Sequence, residues 1–260
     1  LNDVLKRFAD FMDKEEELKS SLRASLTYPF FILGVGVVTV IILLTFVIPR
    51  LAAMFDDMGQ ILPLPTQILI NSSHMLRSYW WLIASILAVL FFTINRVRKN
   101  DRGRLLWDQA KLKTTIFGEI ILKSEISRLT YTLSLLLSSG IPVTTSLEIT
   151  ASVINNLVIK NALDACKEKI TEGNSLFTAI KDSRVFPEFV ASIIGIGEES
   201  GSLDKSLLRI AQTYEMDVER TIKTLTRLLE PIIILSLGVV VGFIVLAMLL
   251  PIFQINIIVK

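Results

Sequence analysis

Between Glu230 and Lys260 the chain carries no Asp, Glu, Lys, Arg or His, and Ile, Leu and Val dominate the run. A stretch that long and that apolar is a membrane span. In lipid every backbone polar group must be paired within the segment, and a helix of about 20 apolar residues achieves this. The residues before it have a different pattern. Leu203, Leu207, Ile210, Tyr214, Val218, Ile222, Leu225 and Leu229 recur at helical spacing with charged residues between them, which predicts an amphipathic helix. One helical path is therefore expected to pass from water into lipid. Pro231 stands at the boundary, where it should kink the helix without ending it.

The chain contains this element twice. With position 203 laid on position 1, Leu207 falls on Leu5, Arg209 on Arg7, Ala211 on Ala9, Glu219 on Glu17 and Leu228 on Leu26. Further along, Pro231 falls on Pro29, Gly238 on Gly36 and Pro251 on Pro49, all without a gap. Two prolines bracketing each span at the same offset indicate an internal duplication, a common way to build membrane proteins. The later copy follows a polar domain, so the chain is expected to be a fragment whose first polar domain precedes Leu1.

Two further spans follow from the same reasoning. The first covers 28–49, and the second, 79–95, opens on Tyr79-Trp80-Trp81, a triplet suited to the headgroup belt. Basic residues set the orientation. Lys6, Arg7, Lys14, Lys19 and Arg23 precede span one, and Arg96, Arg98, Lys99, Arg102 and Arg104 follow span two. The connection between them has Arg50 and Arg77. The positive-inside rule then predicts a cytoplasmic stalk over 1–27, an external loop over 50–78 and a cytoplasmic domain over 96–230. The third span is 231–253, with a short external tail over 254–260. In the loop, Asp56-Asp57, Gly59, Pro63 and Pro65 mark turns, and Pro65-Thr66 is expected to open a short helix.

The middle domain reads as all helical. Leu122 to Ser139 forms one helix, stopped by Gly140 with Pro142 beyond it. Thr145 and Glu148 have capping-box spacing for the next. Asn155-Asn156 breaks that helix, a third runs to Glu172-Gly173, and Asn174-Ser175 caps a short fourth that ends at Asp182-Ser183. Phe186-Pro187 opens a fifth, and Gly201-Ser202 separates it from the helix at 203. The fold class is all-α: a polytopic membrane protein with three transmembrane helices and a cytoplasmic six-helix bundle.

Composition removes several functions. The chain is 52% hydrophobic with a net charge of +2, and that balance argues against general nucleic-acid binding. One Cys and one His exclude an internal disulfide and multi-histidine or cysteine metal clusters. The N-terminus lacks the basic patch and apolar core of a cleaved signal. No phosphate loop is present, and the spans carry no ionisable residue, which argues against a transporter or pump.

Few residues invite a chemical reading. In Gly197-Glu198-Glu199-Ser200-Gly201 the two carboxylates are adjacent on a helix, about 100 degrees apart, so they do not converge on one ligand. A helix end before a glycine turn is the simpler reading. His74 is read as ordinary surface, Cys166 as bundle core and Asn155-Asn156 as a helix boundary. Gly238 and Gly242 form a small-xxx-small pair that suits close packing of spans, within or between subunits.

Several stretches together resemble the type II secretion F family of inner-membrane platform proteins. They are LTYTLSLLLSSGIPVTTSLEI (129–149), VINN, EGNSLFTAI, FPEFVASIIGIGEESGSLDKSLLRIAQTYE (186–215) and the closing LLEPIIILSLGVVVGFIVLAMLLPIF (228–253). YPFFIL, VIPRLAAMF and LPLPTQIL match the first span and loop. Thr115 departs from the family, which usually has Pro before the Phe-Gly here at Phe117-Gly118. The motif residues implied to have structural or partner-binding roles are Gly140, Pro142, Asn156, Gly173, Phe186, Pro187, Gly197, Glu198 and Gly201, with Pro29, Pro49, Pro231 and Pro251 in the spans. The resemblance implies a multi-pass protein of the bacterial inner membrane with no catalytic residue, cofactor or metal. It would contact a cytoplasmic hexameric assembly ATPase, bitopic inner-membrane assembly proteins, pilins or pseudopilins and lipid, as a homo-oligomer, and not nucleic acid. The competing class is an integral membrane enzyme acting on lipid or a lipid-linked substrate, which would need a polar constellation near the membrane interface.

Overall fold

A computed structural model of the chain describes residues 2–57 and 63–258. These form ten α-helices and one π-helical turn, and no strand occurs among the described residues. The helices are α1 (Asn2–Ile42), α2 (Ile48–Asp57), α3 (Leu64–Lys99), α4 (Asp101–Lys113), α5 (Phe117–Ser138), α6 (Val143–Val153), α7 (Leu157–Thr171), α8 (Leu176–Ser183), α9 (Glu188–Glu199) and α10 (Leu203–Ile258). The π turn, Leu43–Val47, joins α1 to α2. The turn expected at Gly59 lies outside the described residues. Two compact units emerge. One holds Asn95–Thr224 with the start of α1, the other Leu22–Ile94 with α10 from Leu225 onward.

The first unit is the bundle. Its six expected helices are α5 to α10, and consecutive members from α5 to α9 pack on one another. Ile126, Leu129 and Leu133 of α5, Leu147 of α6, Ile159 and Leu163 of α7, Ile180 of α8 and Ile194 of α9 close around one core. Leu207, Ile210 and Tyr214 of α10 complete it, following the stripe in the sequence. Between α5 and α10, Ser127 Oγ donates to the Ala211 carbonyl at 3.0 Å and Ser134 Oγ to that of Asp204 at 2.7 Å.

Four local readings change. Helix α4 joins the bundle as a seventh member, packed on α5 and α7. Helix α5 begins at Phe117, five residues before the expected Leu122, with Thr115 in the turn ahead of it. A Cβ on Gly118 would meet the Leu112 carbonyl at 2.3 Å, so this tight α4–α5 turn requires glycine. The capping box at Thr145 does not form. Pro142, fixed at φ −56°, opens α6 three residues earlier, and Glu148 pairs with Lys167 at 2.6 Å instead. The helix opened near Pro65 is not short, because neither Gly nor Pro interrupts the sequence between Thr66 and Lys99.

The second unit carries the apolar lengths. Three helical segments are long and apolar enough to cross a membrane: Arg23–Leu51, Arg77–Val97 and one within Leu203–Pro251. Their side chains are mostly exposed, as with Phe31, Trp80, Phe92 and Leu235, which is the pattern of helices that face lipid. One compact apolar cluster forms where Ile48, Leu69, Ile244 and Ala247 meet, with Leu43, Leu44 and Met248 around it.

Candidate functional site

The polar motif residues of the bundle are occupied with backbone. Glu198 reaches from α9 to the start of α8, where its carboxylate accepts from the amides of Leu176 at 3.0 Å and Phe177 at 3.1 Å. Ser175 caps the same helix by accepting from Thr178 at 3.1 Å. An anionic acceptor is well placed there, since the first amides of a helix lack internal partners and carry the positive end of its dipole. Glu199, one residue on, is exposed and has no part in this cap. The helix-end reading of the motif holds, with a partner 22 residues away that the sequence did not indicate.

A second cap gathers at α7. Asn156 Oδ1 accepts from Val158 at 2.9 Å and Ile159 at 3.4 Å. The buried carboxylates of two other helices take the neighbouring amides: Asp108 Oδ2 that of Leu157 at 3.1 Å, and Glu125 Oε2 that of Asn155 at 3.3 Å. Arg104, one turn before Asp108, donates to the Asn155 carbonyl at 3.2 Å. Arg104 and Asp108 thus clip α4 onto the α6–α7 joint.

The remaining motif residues shape turns and close approaches. Gly140 (φ 80°) and Gly201 (φ 65°) end α5 and α9 in the left-handed region, and Gly173 ends α7 in the same way. Pro142 and Pro187 are the N-caps of α6 and α9, and Phe186 is buried. Gly197 lets α9 meet α10, because a Cβ there would lie 2.6 Å from Ser206 Cβ and 3.1 Å from Leu203 Cα. Cys166 is buried, donates to the Ala179 carbonyl at 3.3 Å, and burial pushes its thiol up to about 11. His74 is an exposed residue of α3. Among the described residues no group of three His, Cys, Asp or Glu could hold a metal ion.

The four span prolines, Pro29, Pro49, Pro231 and Pro251, fall inside helical paths of the second unit. Pro29 is buried in α1 and Pro231 exposed in α10, and both helices continue past them. Gly36 receives Leu237, whose Cδ2 lies 2.5 Å from where a Cβ would stand. Nothing lies within 4 Å of a Cβ built on Gly238 or Gly242. Packing of that pair within the chain is therefore not seen, and a contact with another subunit remains its proposed use.

Pro49 and Pro251, the repeat-related pair, each remove an amide from a helix, and each vacancy has a hydroxyl beside it. At the first, the Ile48 amide reaches back five residues to the Leu43 carbonyl, which makes the π turn. The Leu44 carbonyl then has neither the Ile48 amide nor one from Pro49, and Ser73 Oγ of α3 donates to it. At the second, Pro251 has no N–H for the Ala247 carbonyl four residues back, and Thr66 Oγ1 of α3 donates to that at 2.5 Å. Thr66 and Ser73 are both buried.

Comparison with known proteins supports the family. The model described as "Type II secretion system (T2SS), protein F" matches residues 1–49 and 129–251, so the closing segment of the longer match recurs at the N-terminus in the register of the internal repeat. The chain is similar to the "Type IV pilus assembly protein PilC" of Thermus thermophilus, 38% identical across 98% of this chain and 63% of that protein. The protein of the same name from Myxococcus xanthus is 35% identical, over 98% of this chain and 61% of its own length. "Type II secretion system protein F" of Aeromonas hydrophila is 31% identical over 98% and 66%. The chain thus spans somewhat under two thirds of the two PilC relatives. An all-α architecture with membrane-length helices, a duplicated stalk and span, and these matches across nearly its whole length together place the chain in the type II secretion system protein F family.

Proposed function

We propose that this chain is a non-enzymatic platform in the inner membrane of a type IV pilus or type II secretion machine. It couples a cytoplasmic hexameric assembly ATPase to the addition of pilin or pseudopilin subunits. The observation that carries the reading is α10, one helix whose first turns close the bundle core and whose later turns are apolar enough to cross a membrane. In this reading the shared helix carries a push on the bundle into the lipid-facing segment. The motif and buried carboxylates of the bundle, Glu198, Asp108 and Glu125, are engaged in capping helices, which favours a scaffolding role for them over a chemical one. In this reading the stalk and bundle are cytoplasmic, the connection between the first two spans is external, and bitopic assembly proteins and further copies of the chain pack around the spans.

The test is biochemical. The purified protein should hydrolyse no ATP by itself and should raise the turnover of its cognate assembly ATPase. Hydrolysis that co-purifies with this chain through every step and scales with its amount would end the platform reading.

A further inference from the structure

We propose that Thr66 and Ser73 are positioning residues that form a two-point hydroxyl latch, by which α3 holds the proline-broken ends of the two repeat-related helices. The repeat places Pro49 and Pro251 at equivalent positions, so each copy has a carbonyl that its own helix cannot satisfy. Both orphans, at Leu44 and Ala247, accept from one helix. The two donors are seven residues apart, close to two helical turns, so they lie on the same face of α3. Leu69, between them, is buried in the cluster with Ile48, Ile244 and Ala247. The first copy needs a further adjustment. Its π turn moves the orphan to Leu44, one residue before the Thr45 carbonyl that an unbroken α-helix would have left without a donor.

The chemistry makes the latch selective. A buried carbonyl without a donor is costly, and an apolar environment offers no water to replace one. A hydroxyl on α3 is therefore required at these two positions, whereas size and apolarity suffice at Leu69 and Ile70. Beyond the latch, most of the described side chains of the span continued by α3 are exposed, including Trp81, Ile86, Val89, Leu90 and Phe91. The latched turns are what fix that span to the rest of its unit. This inference goes beyond the platform reading and holds whichever partner the platform serves.

A reporter cysteine tests it in the full chain in detergent, with Cys166→Ala as background. Leu69→Cys should react slowly with a small maleimide, because it sits between the two latch bonds. Thr66→Val and Ser73→Ala should each speed that reaction about tenfold, the effect of one lost buried hydrogen bond. Thr66→Ser and Ser73→Thr should restore it. Ala179→Cys, made in a separate chain to report on the bundle core, should keep its rate throughout. Equal Leu69→Cys rates with and without the hydroxyls, or Thr66→Ser behaving like Thr66→Val, would overturn the latch. So would an equal rise at both reporters, which would indicate general destabilisation. If the valine or alanine variants fail to accumulate, recovery of accumulation by the hydroxyl-bearing substitutions supports the latch, and failure of those to recover overturns it.

Discussion

Glu198→Ala should loosen one short helix and leave the rest of the bundle closed. The carboxylate serves two amides at the start of α8, a helix of eight residues that has little stability of its own. A hydrogen bond to a charged group contributes about 1.5–3 kcal/mol net. The Leu176 amide is part-buried and would retain most of that value. The Phe177 amide is exposed and would recover water, so its share is small. Their sum is about 2 kcal/mol after allowance for solvent screening of the exposed carboxylate. That corresponds to roughly a 30-fold faster exchange of the amides in α8, since local opening sets the rate and 1.4 kcal/mol is tenfold. Glu198→Gln keeps one acceptor oxygen and loses the charge, so it should fall about midway. Glu199→Ala, one residue along and outside the cap, should leave exchange unchanged. Hydrogen exchange read by mass spectrometry on the full chain would report α8 and α5 together. Unchanged α8 exchange in Glu198→Ala, or equal effects from Glu198 and Glu199, would refute the capping role and return the pair to contention as a partner or catalytic motif.

Three other outcomes follow from the same structure. Cys166, ordinarily near 9.0 and pushed up to about 11 by burial, should have a thiolate fraction about a hundredfold lower at pH 8. Its alkylation should therefore be at least that much slower in the folded chain than in denaturant, and similar rates would show that the site opens freely. Replacing Val218 and Glu219 by glycines should weaken α10 by about 1 kcal/mol per site, with a further loss because Val218 is buried. Membrane level and ATPase association should survive while fibre output falls, and normal output from a stably inserted variant would dismiss stiffness as a requirement. In the Cys166→Ala background, Gln60→Cys should react with a membrane-impermeant thiol reagent in spheroplasts and Glu172→Cys should not; the reverse pattern would invert the topology.

The parts of this fold legible in the sequence are those governed by period and punctuation. The glycine stops at Gly140 and Gly201 and the Ser175 cap are local signals that appear where the pattern placed them. The stripe expected from Leu203 to Leu229 is buried at Leu207, Ile210, Tyr214 and Val218 and exposed by Leu229, and Asn156, read as a helix boundary, is also the cap of α7. What escaped is polar chemistry turned inward. Asp108 and Glu125 are buried to serve amides of α7, while a hydrophobic pattern reads any carboxylate as solvent-facing. For that reason α4 did not stand out as a bundle helix. The hydroxyls of Thr66 and Ser73 were less visible still. Their acceptors are backbone carbonyls, 181 residues away for Thr66, and no residue type at Ala247 announces that its carbonyl lacks a donor. The prolines did carry that signal, because a proline in a helix interior supplies no N–H to the carbonyl one turn back, although at Pro49 the π turn moves the orphan to Leu44.

The sharing of α10 between bundle and span also constrains how the chain is made. A ribosome delivers α5 to α9 first, and their apolar faces stay uncovered until Leu207, Ile210 and Tyr214 emerge. Those residues lie just ahead of the apolar run from Pro231, so core closure and membrane insertion fall at nearly the same moment of synthesis. A nascent bundle awaiting its last helix presents the kind of surface that aggregates or recruits chaperones. Slow insertion of the closing span would then appear first as misfolding of the bundle that precedes it.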